Sequence, residues 1–197
     1  MRKKTVLITG GAGFIGSHLS QKLLNNGYSV ICLDNFNDFY DPDIKRNNIR
    51  PLLNNQNFRL VEGDIRDRNI LEDIFKKWAI DTVIHLAAMA GVRASIKNPK
   101  VYQDVNVMGT INLLETSVKA KVEKFIYGSS SSVYGLATKL PFSEDDETGK
   151  PISPYAASKR SAELFCYTYS HLYSLSVCCL RFFTVYGPRG RPDMAPA

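Results

Sequence analysis

Short runs of apolar residues alternate with longer amphipathic stretches along nearly the whole chain. The apolar runs are too short for typical helices and rich in Val, Ile, Leu and Phe, as parallel strands buried on both faces are. They predict strands at Thr5–Thr9, Val30–Asp34, Phe58–Glu62, Thr82–Leu86, Lys124–Gly128 and Ser176–Phe183. The stretches between them predict helices over 14–26, 67–77, 99–120 and 154–173. Strands separated by helices predict right-handed crossovers and an open, doubly wound α/β sheet.

Local signals support these helix boundaries. Gly27 follows two asparagines and is a good helix stop, because glycine accepts the left-handed cap conformation. Asp67 is a predicted N-cap of the second helix. Two segments, 36–53 and 136–154, are predicted loops, the first running into a short helix. Loops that follow the carboxyl ends of strands build the binding sites of such sheets.

Composition narrows the class of protein. The chain has 197 residues, 44% of them hydrophobic, enough for one domain with a sizeable core. Its net charge of +6 suits either an anionic ligand such as a nucleotide diphosphate or a solvated basic surface. The dispersed Lys and Arg argue against nucleic-acid binding. No run approaches the roughly 20 apolar residues of a membrane span.

The four cysteines indicate a reducing compartment. None of them forms a Cys-x-x-Cys pair, and no His lies at metal-ligand spacing from them, so no metal site is predicted. Cys178 and Cys179 stand in an apolar run and are predicted to be small buried side chains. A cytoplasmic location follows as the expectation.

A glycine-rich turn follows the first strand and opens the first helix. Gly10 permits a tight turn, Gly13 lets a pyrophosphate approach the backbone, and Gly16 lets helix and strand pack closely. The amino end of the helix then offers free N–H groups to the phosphates. Asp34 ends the second strand, where its carboxylate can accept hydrogen bonds from ribose hydroxyls and repel a 2′-phosphate. These features predict a dinucleotide site that prefers NAD to NADP, although Asp34 alone also suits a loop cap.

Tyr155 and Lys159 form the candidate catalytic pair. Ser153 and Pro154 predict a helix start that places the two side chains on one helix face. A phenol with a pKa of about 10 is a poor base at neutral pH. A nearby ammonium, a nicotinamide cation and the helix amino end would stabilise the phenolate for acid–base chemistry on an alcohol. The Tyr-x-x-x-Lys spacing by itself is common; here it follows a glycine turn and a strand ending in four serines, 129–132, which also suit a plain polar loop.

With these motifs the chain resembles the extended short-chain dehydrogenase/reductases over essentially its whole length. Asp64-Ile65, 85–88 and Asn106 also match that pattern. The resemblance implies that residues 1–197 form an NAD-binding Rossmann domain. It implies that Ser130, Tyr155 and Lys159 are catalytic, with Ser132 as a second hydroxyl contact. The implied cofactor contacts are Gly10, Gly13, Phe14, Ile15, Gly16, Asp34, Asn35, Asp64, Ile65, Leu86, Ala87, Ala88, Tyr155 and Lys159. His85 is interpreted as a structural residue at a strand end.

Within this family the chain is most similar to the UDP-glucuronate 4-epimerases. The matching stretches are 34–42, 90–95, 181–188 and 190–194. This likeness implies NAD-dependent inversion at C4 of UDP-glucuronate through a 4-keto sugar. The implied substrate contacts are Arg93, Ser130, Thr184 and Arg191, although Arg93 also suits a surface role. A homodimer formed through the two long helices is implied as well.

Two related enzyme activities differ from epimerisation in the acidic residues that they use. Related 4,6-dehydratases carry Asp-Glu at the positions of Ser131 and Ser132, and related uronate decarboxylases carry Glu at Ser132. Elimination needs an acid and a base beyond the tyrosine, whereas epimerisation needs neither. The chain ends at Ala197, where the resemblance would continue into a smaller substrate domain, so a truncated product or a fragment is expected. A dinucleotide-binding module without turnover, or a related dehydratase or decarboxylase, is the alternative.

Overall fold

Six parallel strands form one sheet in the computed structural model, which describes residues 3–136 and 140–192. The strands are β1 (Thr5–Thr9), β2 (Ser29–Asp34), β3 (Phe58–Glu62), β4 (Thr82–His85), β5 (Lys124–Ser130) and β6 (Ser176–Phe182). Their spatial order is β3-β2-β1-β4-β5-β6. From β1 the chain adds β2 and then β3 on one side of the sheet. It then returns to the other side of β1, where it adds β4, β5 and β6 in turn. The chain order therefore reverses between β1 and β4, where ligands bind in open sheets of this type.

Helices connect the strands and cover the sheet. They are α1 (Phe14–Asn25), α2 (Pro42–Ile49), α3 (Arg68–Lys77), α4 (Val92–Lys97), α5 (Pro99–Tyr102), α6 (Gly109–Lys119) and α7 (Pro154–Tyr173). A π-helical segment, Gln103–Met108, joins α5 to α6, and 3-10 turns occupy Arg50–Leu52 and Ser131–Tyr134. The doubly wound parallel sheet predicted from the sequence is confirmed, and the predicted strands differ from the observed ones by at most two residues at either end.

Capping side chains fix several helix starts. Asp67 accepts hydrogen bonds from the N–H groups of Asn69 and Ile70, as its predicted N-cap role requires. Ser153 accepts one from Ala156, and Pro154 occupies the first turn of α7. Gly27, just beyond α1, has a φ of +84°, as expected of a glycine helix stop.

Two connections bear on the sequence prediction, one against it and one in agreement with it. The predicted helix over 99–120 is three consecutive pieces, because Gln103–Met108 takes π-helical hydrogen bonding. The segment 36–53, predicted as a loop running into a short helix, does contain such a helix: the eight-residue α2, which the Asp41 side chain caps by accepting from Asp43. Helix α4 was not predicted; it is only six residues long, too short for a periodic pattern to show.

Side chains of the strands alternate between two apolar layers. In β1, Leu7 faces the layer formed with α3, α6 and α7, whereas Val6 and Ile8 face the layer that includes α1. All three of these side chains are buried. The continuous apolar runs in the sequence therefore reflect a sheet covered on both faces.

The prediction that Cys178 and Cys179 are buried is wrong. Cys178 is exposed and Cys179 is half-buried, because β6 is the edge strand of the described sheet. Its residues alternate: Val177 and Cys179 pack toward the core beside Cys166 of α7, and Cys178 points the other way. Cys32 and Cys166 are buried. Across the described ranges, none of the helices combines the length and apolar character needed to cross a bilayer.

Candidate active site

One cleft of about 730 Å³ opens at the carboxyl ends of the strands. It collects residues from β2 and β5, from the glycine turn, from α7 and from the segments that follow β4 and β6. Neighbouring strands lie about 4.8 Å apart, so the ends of β2 and β5, three strand spacings apart, are separated by roughly 14 Å. A cleft of that span suits an extended ligand such as a dinucleotide.

The structure brings every sequence-predicted site residue to this cleft. The lining includes Gly10, Gly13, Phe14, Ile15, Gly16, Asp34, Asn35, Asp64, Ile65, Leu86, Ala87, Ala88, Arg93, Ser130, Ser132, Tyr155, Lys159, Thr184 and Arg191. The roles assigned to these residues remain predictions, but their common location follows from the strand order. Asp193 and Met194, which contribute to the family likeness, lie outside the described residues.

The glycine turn has the geometry that its sequence predicts. Gly10 has a φ of +68°, and an added Cβ would lie 2.7 Å from the backbone nitrogen of Ala87. At Gly16 a Cβ would overlap the carbonyl oxygen of Gly10, so α1 packs against the turn as closely as the backbone allows. At Gly13 a Cβ would meet only that same oxygen, at 3.3 Å. Gly13 is also the N-cap of α1 and has no side-chain cap, which leaves the first N–H groups of the helix available to an anion.

Asp34 is buried at the end of β2 and organises the loops around it. Its two carboxylate oxygens accept hydrogen bonds from the N–H groups of Ala12, at 3.1 Å, and Phe36, at 3.0 Å. Burial raises the pKa of Asp34, although these N–H groups and the nearby charge of Lys45 oppose the rise. Each oxygen keeps a further lone pair. Asp34 can therefore still accept hydrogen bonds from a ribose in the cleft.

Asp64 is held by its neighbours. Arg66 donates to both of its oxygens, at 2.9 and 2.8 Å, and the amide of Asn35 donates to one of them at 2.9 Å. Burial alone would raise the pKa of Asp64, but these hydrogen bonds lower it to about 2. The carboxylate is therefore ionised and rigidly placed beside the cleft. Arg66, which sequence reasoning missed, also lines it.

Tyr155 and Ser130 form the centre of the catalytic constellation. The Ser130 hydroxyl interacts with the Tyr155 phenol and lowers its pKa, and the Tyr155 ring packs edge-on against Tyr102. Burial raises the pKa of Tyr155, while the Ser130 hydrogen bond and the positive charge of Arg191 lower it. The phenolate predicted from the sequence depends on a nearby ammonium, a nicotinamide cation and the helix amino end together, and it stays a prediction for the cleft with its cofactor bound.

Lys159 is fully buried one turn further along α7. Its Nζ donates to the carbonyl oxygen of Gly128 at 2.7 Å and lies 4.9 Å from the centroid of the Tyr127 ring. Burial lowers the pKa of Lys159 to about 8, although the nearby Cys166 and Glu163 oppose the shift. The carbonyl of Gly128 takes one of the three ammonium protons, so the side chain is oriented at the end of β5 with donors left for a ligand.

The four consecutive serines have different surroundings. Ser129 is buried and donates to Glu163 at 2.6 Å, away from the phenol. Ser130 faces Tyr155 and also accepts from the backbone N–H of Ser132 at 3.1 Å. Ser131 and Ser132 line the cleft in the 3-10 turn that follows. The contact of Ser130 with the phenol agrees with its selection from the sequence as the catalytic serine.

The predicted substrate residues form the outer part of the cleft. Arg93, at the start of α4, and Thr184, beyond β6, are exposed. The Arg191 guanidinium lies over the ring of Phe39, 5.1 Å from its centroid. The chain between Thr184 and Arg191 returns to α1, where His18 contacts the Pro188 carbonyl. Arg191 thereby reaches the cleft close enough for its charge to act on Tyr155.

Three further residues of the site were not singled out from the sequence. Lys45 of α2 donates to the Asn37 carbonyl at 2.7 Å and lines the cleft next to Asp34. Arg181 and Glu163 lie behind the serines and are described below. Only Glu163 had a usable signal, since it follows Lys159 by four residues and shares its helix face.

Two residues noted in the sequence hold the site from behind. His85 is buried and bridges the hydroxyls of Thr9, at 2.7 Å, and Thr110, at 2.9 Å. Burial, helped by the charge of Lys159, lowers its pKa to about 3, so the structural interpretation of His85 is confirmed. Asn106, in the π-helical segment, bonds both backbone groups of Met89 and the hydroxyl of Ser158, which ties the loop after β4 to α7.

Comparisons with known proteins found similar sequences and folds. The family model described as GDP-mannose 4,6 dehydratase matches residues 7–196. UDP-glucuronate 4-epimerase 4 of Arabidopsis thaliana is 52% identical over 192 residues, which are 97% of this chain and 44% of that protein. The chain thus spans about half the length of the curated relatives it matches.

Solved structures show the same likeness. The UDP-glucuronic acid 4-epimerase of Bacillus cereus, solved with UDP-glucuronic acid and NAD, superposes with a TM-score of 0.90 at 43% identity. The match covers 97% of this chain and 60% of that one. A double mutant of DesIV of Streptomyces venezuelae, a dTDP-glucose 4,6-dehydratase solved with NAD, superposes with a TM-score of 0.88 at 36% identity; the match covers 98% of this chain and 59% of that one.

Proposed function

The chain belongs to the extended short-chain dehydrogenase/reductases, in the group that the GDP-mannose 4,6-dehydratase family model describes, and on this premise we propose that it is an NAD-dependent nucleotide-sugar 4-epimerase. The proposed reaction converts UDP-glucuronate to UDP-galacturonate. The observation that carries the proposal is the contact between Ser130 and the Tyr155 phenol, in the same cleft as the glycine turn and Lys159.

The cofactor fits the residues present. The glycine turn excludes side chains where a pyrophosphate would approach, and Asp34 keeps acceptors for ribose hydroxyls. The buried carboxylate of Asp34 disfavours a 2′-phosphate, which supports NAD over NADP. When bound, NAD supplies the acceptor for the hydride from the sugar C4 and returns that hydride, so no outside oxidant is needed.

The protein's own part in the reaction is proton transfer and orientation. Tyr155 takes the proton of the C4 hydroxyl as that carbon becomes a ketone, and returns it after the sugar presents its other face. Ser130 holds the reacting oxygen beside the phenol. Lys159, fully buried, adds a positive charge that supports the phenolate once the cleft is filled. The atoms of the sugar are unchanged except for the configuration at C4.

The outer residues give the proposed specificity. Arg191, together with Thr184 and Arg93, would bind the uronate carboxylate or the pyrophosphate, and guanidinium groups suit both by paired hydrogen bonds. Ser131 and Ser132 supply neither the acid nor the base that elimination of water requires. This favours epimerisation over the dehydratase chemistry named for the family model and for DesIV.

The test compares two tyrosine variants of the same helix. The chain is incubated with NAD and UDP-glucuronate, and UDP-galacturonate is followed by proton NMR. We expect Tyr155→Phe to lower turnover about 10²- to 10⁴-fold, the usual contribution of general acid–base catalysis. Tyr167→Phe, the same change at a position of α7 that is 73% exposed, should leave turnover unchanged.

Other outcomes would decide between the alternatives. A chain that binds NAD but forms no UDP-galacturonate would contradict the proposal and favour a dinucleotide-binding module. Formation of a 4-keto-6-deoxy sugar from a UDP-hexose would instead identify a dehydratase. Loss of the uronate carboxyl as carbon dioxide would identify a decarboxylase.

We also propose that the chain forms a homodimer through α6 and α7. Three apolar side chains of α7, Leu164, Phe165 and Leu172, are exposed by between 37% and 62%, and burying them against a second copy would be favourable. Sedimentation equilibrium of the purified chain tests this directly, since a monomer at all concentrations would contradict it.

A reducing cytoplasmic environment remains the prediction made from the cysteines.

A further inference from the structure

A buried carboxylate behind the catalytic cleft has no part in the chemistry described so far. Glu163 of α7 follows Tyr155 by eight residues and Lys159 by four, so the three side chains share one face of the helix. The Glu163 side chain is only 4% exposed. A carboxylate buried to that degree needs charged partners and hydrogen bonds to remain ionised.

Four hydrogen bonds satisfy this carboxylate. Ser129 donates to Oε1 at 2.6 Å, and Arg160 donates to Oε2 at 2.9 Å. Arg181 of β6 donates to both oxygens, through Nε at 3.1 Å and through Nη2 at 3.2 Å. Burial alone would raise the pKa of Glu163, but the bonds from Arg181 and Ser129 lower it, so Glu163 is an anion.

These partners belong to the segments that carry the proposed catalytic residues. Ser129 directly precedes Ser130 in β5. Arg181 also donates to the Tyr134 hydroxyl at 3.2 Å, at the end of the 3-10 turn that contains Ser132. Arg181 further donates to the carbonyl of Glu144 at 3.1 Å and stacks over the Tyr134 ring. One carboxylate therefore connects α7 with the ends of β5 and β6 and with the 3-10 turn.

We propose that Glu163 is a positioning residue, which holds Ser130 in register with Tyr155 through Ser129 and fixes the end of β6 through Arg181. This inference rests on the proposed function, because it assigns a purpose to the placement of Ser130. A buried ion pair adds little net stability compared with apolar packing, whereas its directional bonds define a geometry. The arrangement is thus better suited to fixing positions than to raising stability.

The test uses two variants and one control. Glu163→Gln keeps the shape of the side chain but removes its charge. Ser129→Ala removes only the hydrogen bond next to Ser130, and remains informative if Glu163→Gln does not fold. Glu123→Gln is the control, because Glu123 also pairs with a cation, Lys4 at 2.8 Å, but at the opposite end of the strands.

Kinetics give the first readout. We expect kcat of Glu163→Gln to fall about 10-fold or more, since small displacements of catalytic groups cost up to about 10²-fold. KM for UDP-glucuronate and the Kd for NAD should stay close to the wild-type values. Ser129→Ala should show a smaller fall in kcat, and Glu123→Gln should match the wild type. A folded Glu163→Gln with wild-type kcat would overturn the proposal.

A spectroscopic readout does not depend on turnover. With tyrosine labelled by ¹³C at Cζ, the resonance of Tyr155 is identified by its absence in Tyr155→Phe and titrated across the alkaline range. The Ser130 hydrogen bond lowers the pKa of Tyr155. If Glu163 positions Ser130, Glu163→Gln and Ser129→Ala should therefore titrate at higher pH than the wild type.

The two readouts separate the two proposals. An inactive wild-type chain would contradict the epimerase assignment, while the Tyr155 titration would still decide the role of Glu163. If Glu163→Gln and Ser129→Ala only lower the melting temperature and leave the Tyr155 titration unchanged, Glu163 is structural and the positioning role is refuted.

Discussion

The cofactor part and the substrate part of the cleft are built in different ways. The cofactor part depends on backbone geometry: at Gly10 and Gly16 an added Cβ would collide with backbone atoms, and Asp34 is tied to two N–H groups. The substrate part depends on side chains, of which Arg93 and Thr184 are exposed. Backbone-defined sites tolerate few substitutions, whereas exposed side chains can change without disturbing the fold. We therefore expect substitutions at Gly10 and Gly16 to weaken the fold together with cofactor binding. Substitutions in the substrate part should change substrate binding and leave the fold intact.

The strongest test of this contrast is at the glycine turn. Gly16→Ala places a Cβ against the Gly10 carbonyl and 2.7 Å from the Gly11 Cα. Because backbone cannot move aside cheaply, we expect the free energy of unfolding to fall by about 1–3 kcal/mol, with loss of NAD binding. Gly13→Ala meets only one oxygen at 3.3 Å, so it should lose NAD affinity with little loss of stability. Denaturant unfolding and calorimetric titration measure the two effects. A Gly16→Ala protein as stable as the wild type would remove the distinction.

A smaller effect is expected in the substrate part. Arg191→Ala should raise KM for UDP-glucuronate about 10-fold or more, the usual weight of a charge-assisted hydrogen bond. It should also lower kcat, since the charge of Arg191 lowers the pKa of Tyr155. Arg191→Lys keeps the charge but not the paired donors, so kcat should recover while KM stays high.

The affinity for NAD should be unchanged in both Arg191 variants. Arg50 is exposed and lies outside the cleft, so Arg50→Ala is the control. It should leave KM for UDP-glucuronate and the affinity for NAD unchanged. If Arg191→Ala weakens NAD binding as much as UDP-glucuronate binding, the two parts of the cleft are not separable.

The most gradual effect concerns Lys159, where the two parts meet. Its folded pKa is about 8, below the value of 10.5 for an unperturbed lysine. Between those values the unfolded chain holds a proton that the folded chain has released, so stability rises with pH there, by at most about 1.4 kcal/mol per unit. Below pH 8 the burial penalty is present in full. Lys159→Met removes the buried charge and with it this pH dependence. We therefore expect the variant to be more stable than the wild type below pH 8, and the difference in unfolding free energy to shrink as the pH rises above 8. An advantage independent of pH would show that the folded pKa of Lys159 is not lowered.

The family likeness and the fold were readable from the chain because they depend on local pattern. Buried parallel strands leave continuous apolar runs, and the glycine turn needs its residues within seven positions. Tyr155 and Lys159 could be paired for the same reason, since one helix turn separates them. Among the four serines, the family resemblance selected Ser130, through its spacing to Tyr155 and the Val-Tyr-Gly that follows, and the Ser130 hydroxyl lowers the pKa of the phenol.

Other features depended on contacts between distant segments. Cys178 was predicted to be buried because its neighbours in sequence are apolar, but exposure is decided by the position of β6 at the sheet edge. Lys45 stands in a segment predicted as a loop, and only the packing of α2 brings it next to Asp34. The Phe39 ring beneath Arg191 comes from a segment about 150 positions earlier in the chain.

The sequence by itself determined the strands and helices, the glycine turn and the catalytic pair, because each is encoded by residues a few positions apart. The tertiary structure decided what surrounds them: the raised pKa of Tyr155, the lowered pKa of Lys159 and the carboxylate of Glu163 that connects α7 with β5 and β6. These properties arise from burial and from charges brought together across the fold. Periodicity and spacing indicate the secondary structure that a residue forms with its neighbours in sequence, whereas the burial of a residue depends on which elements pack over it.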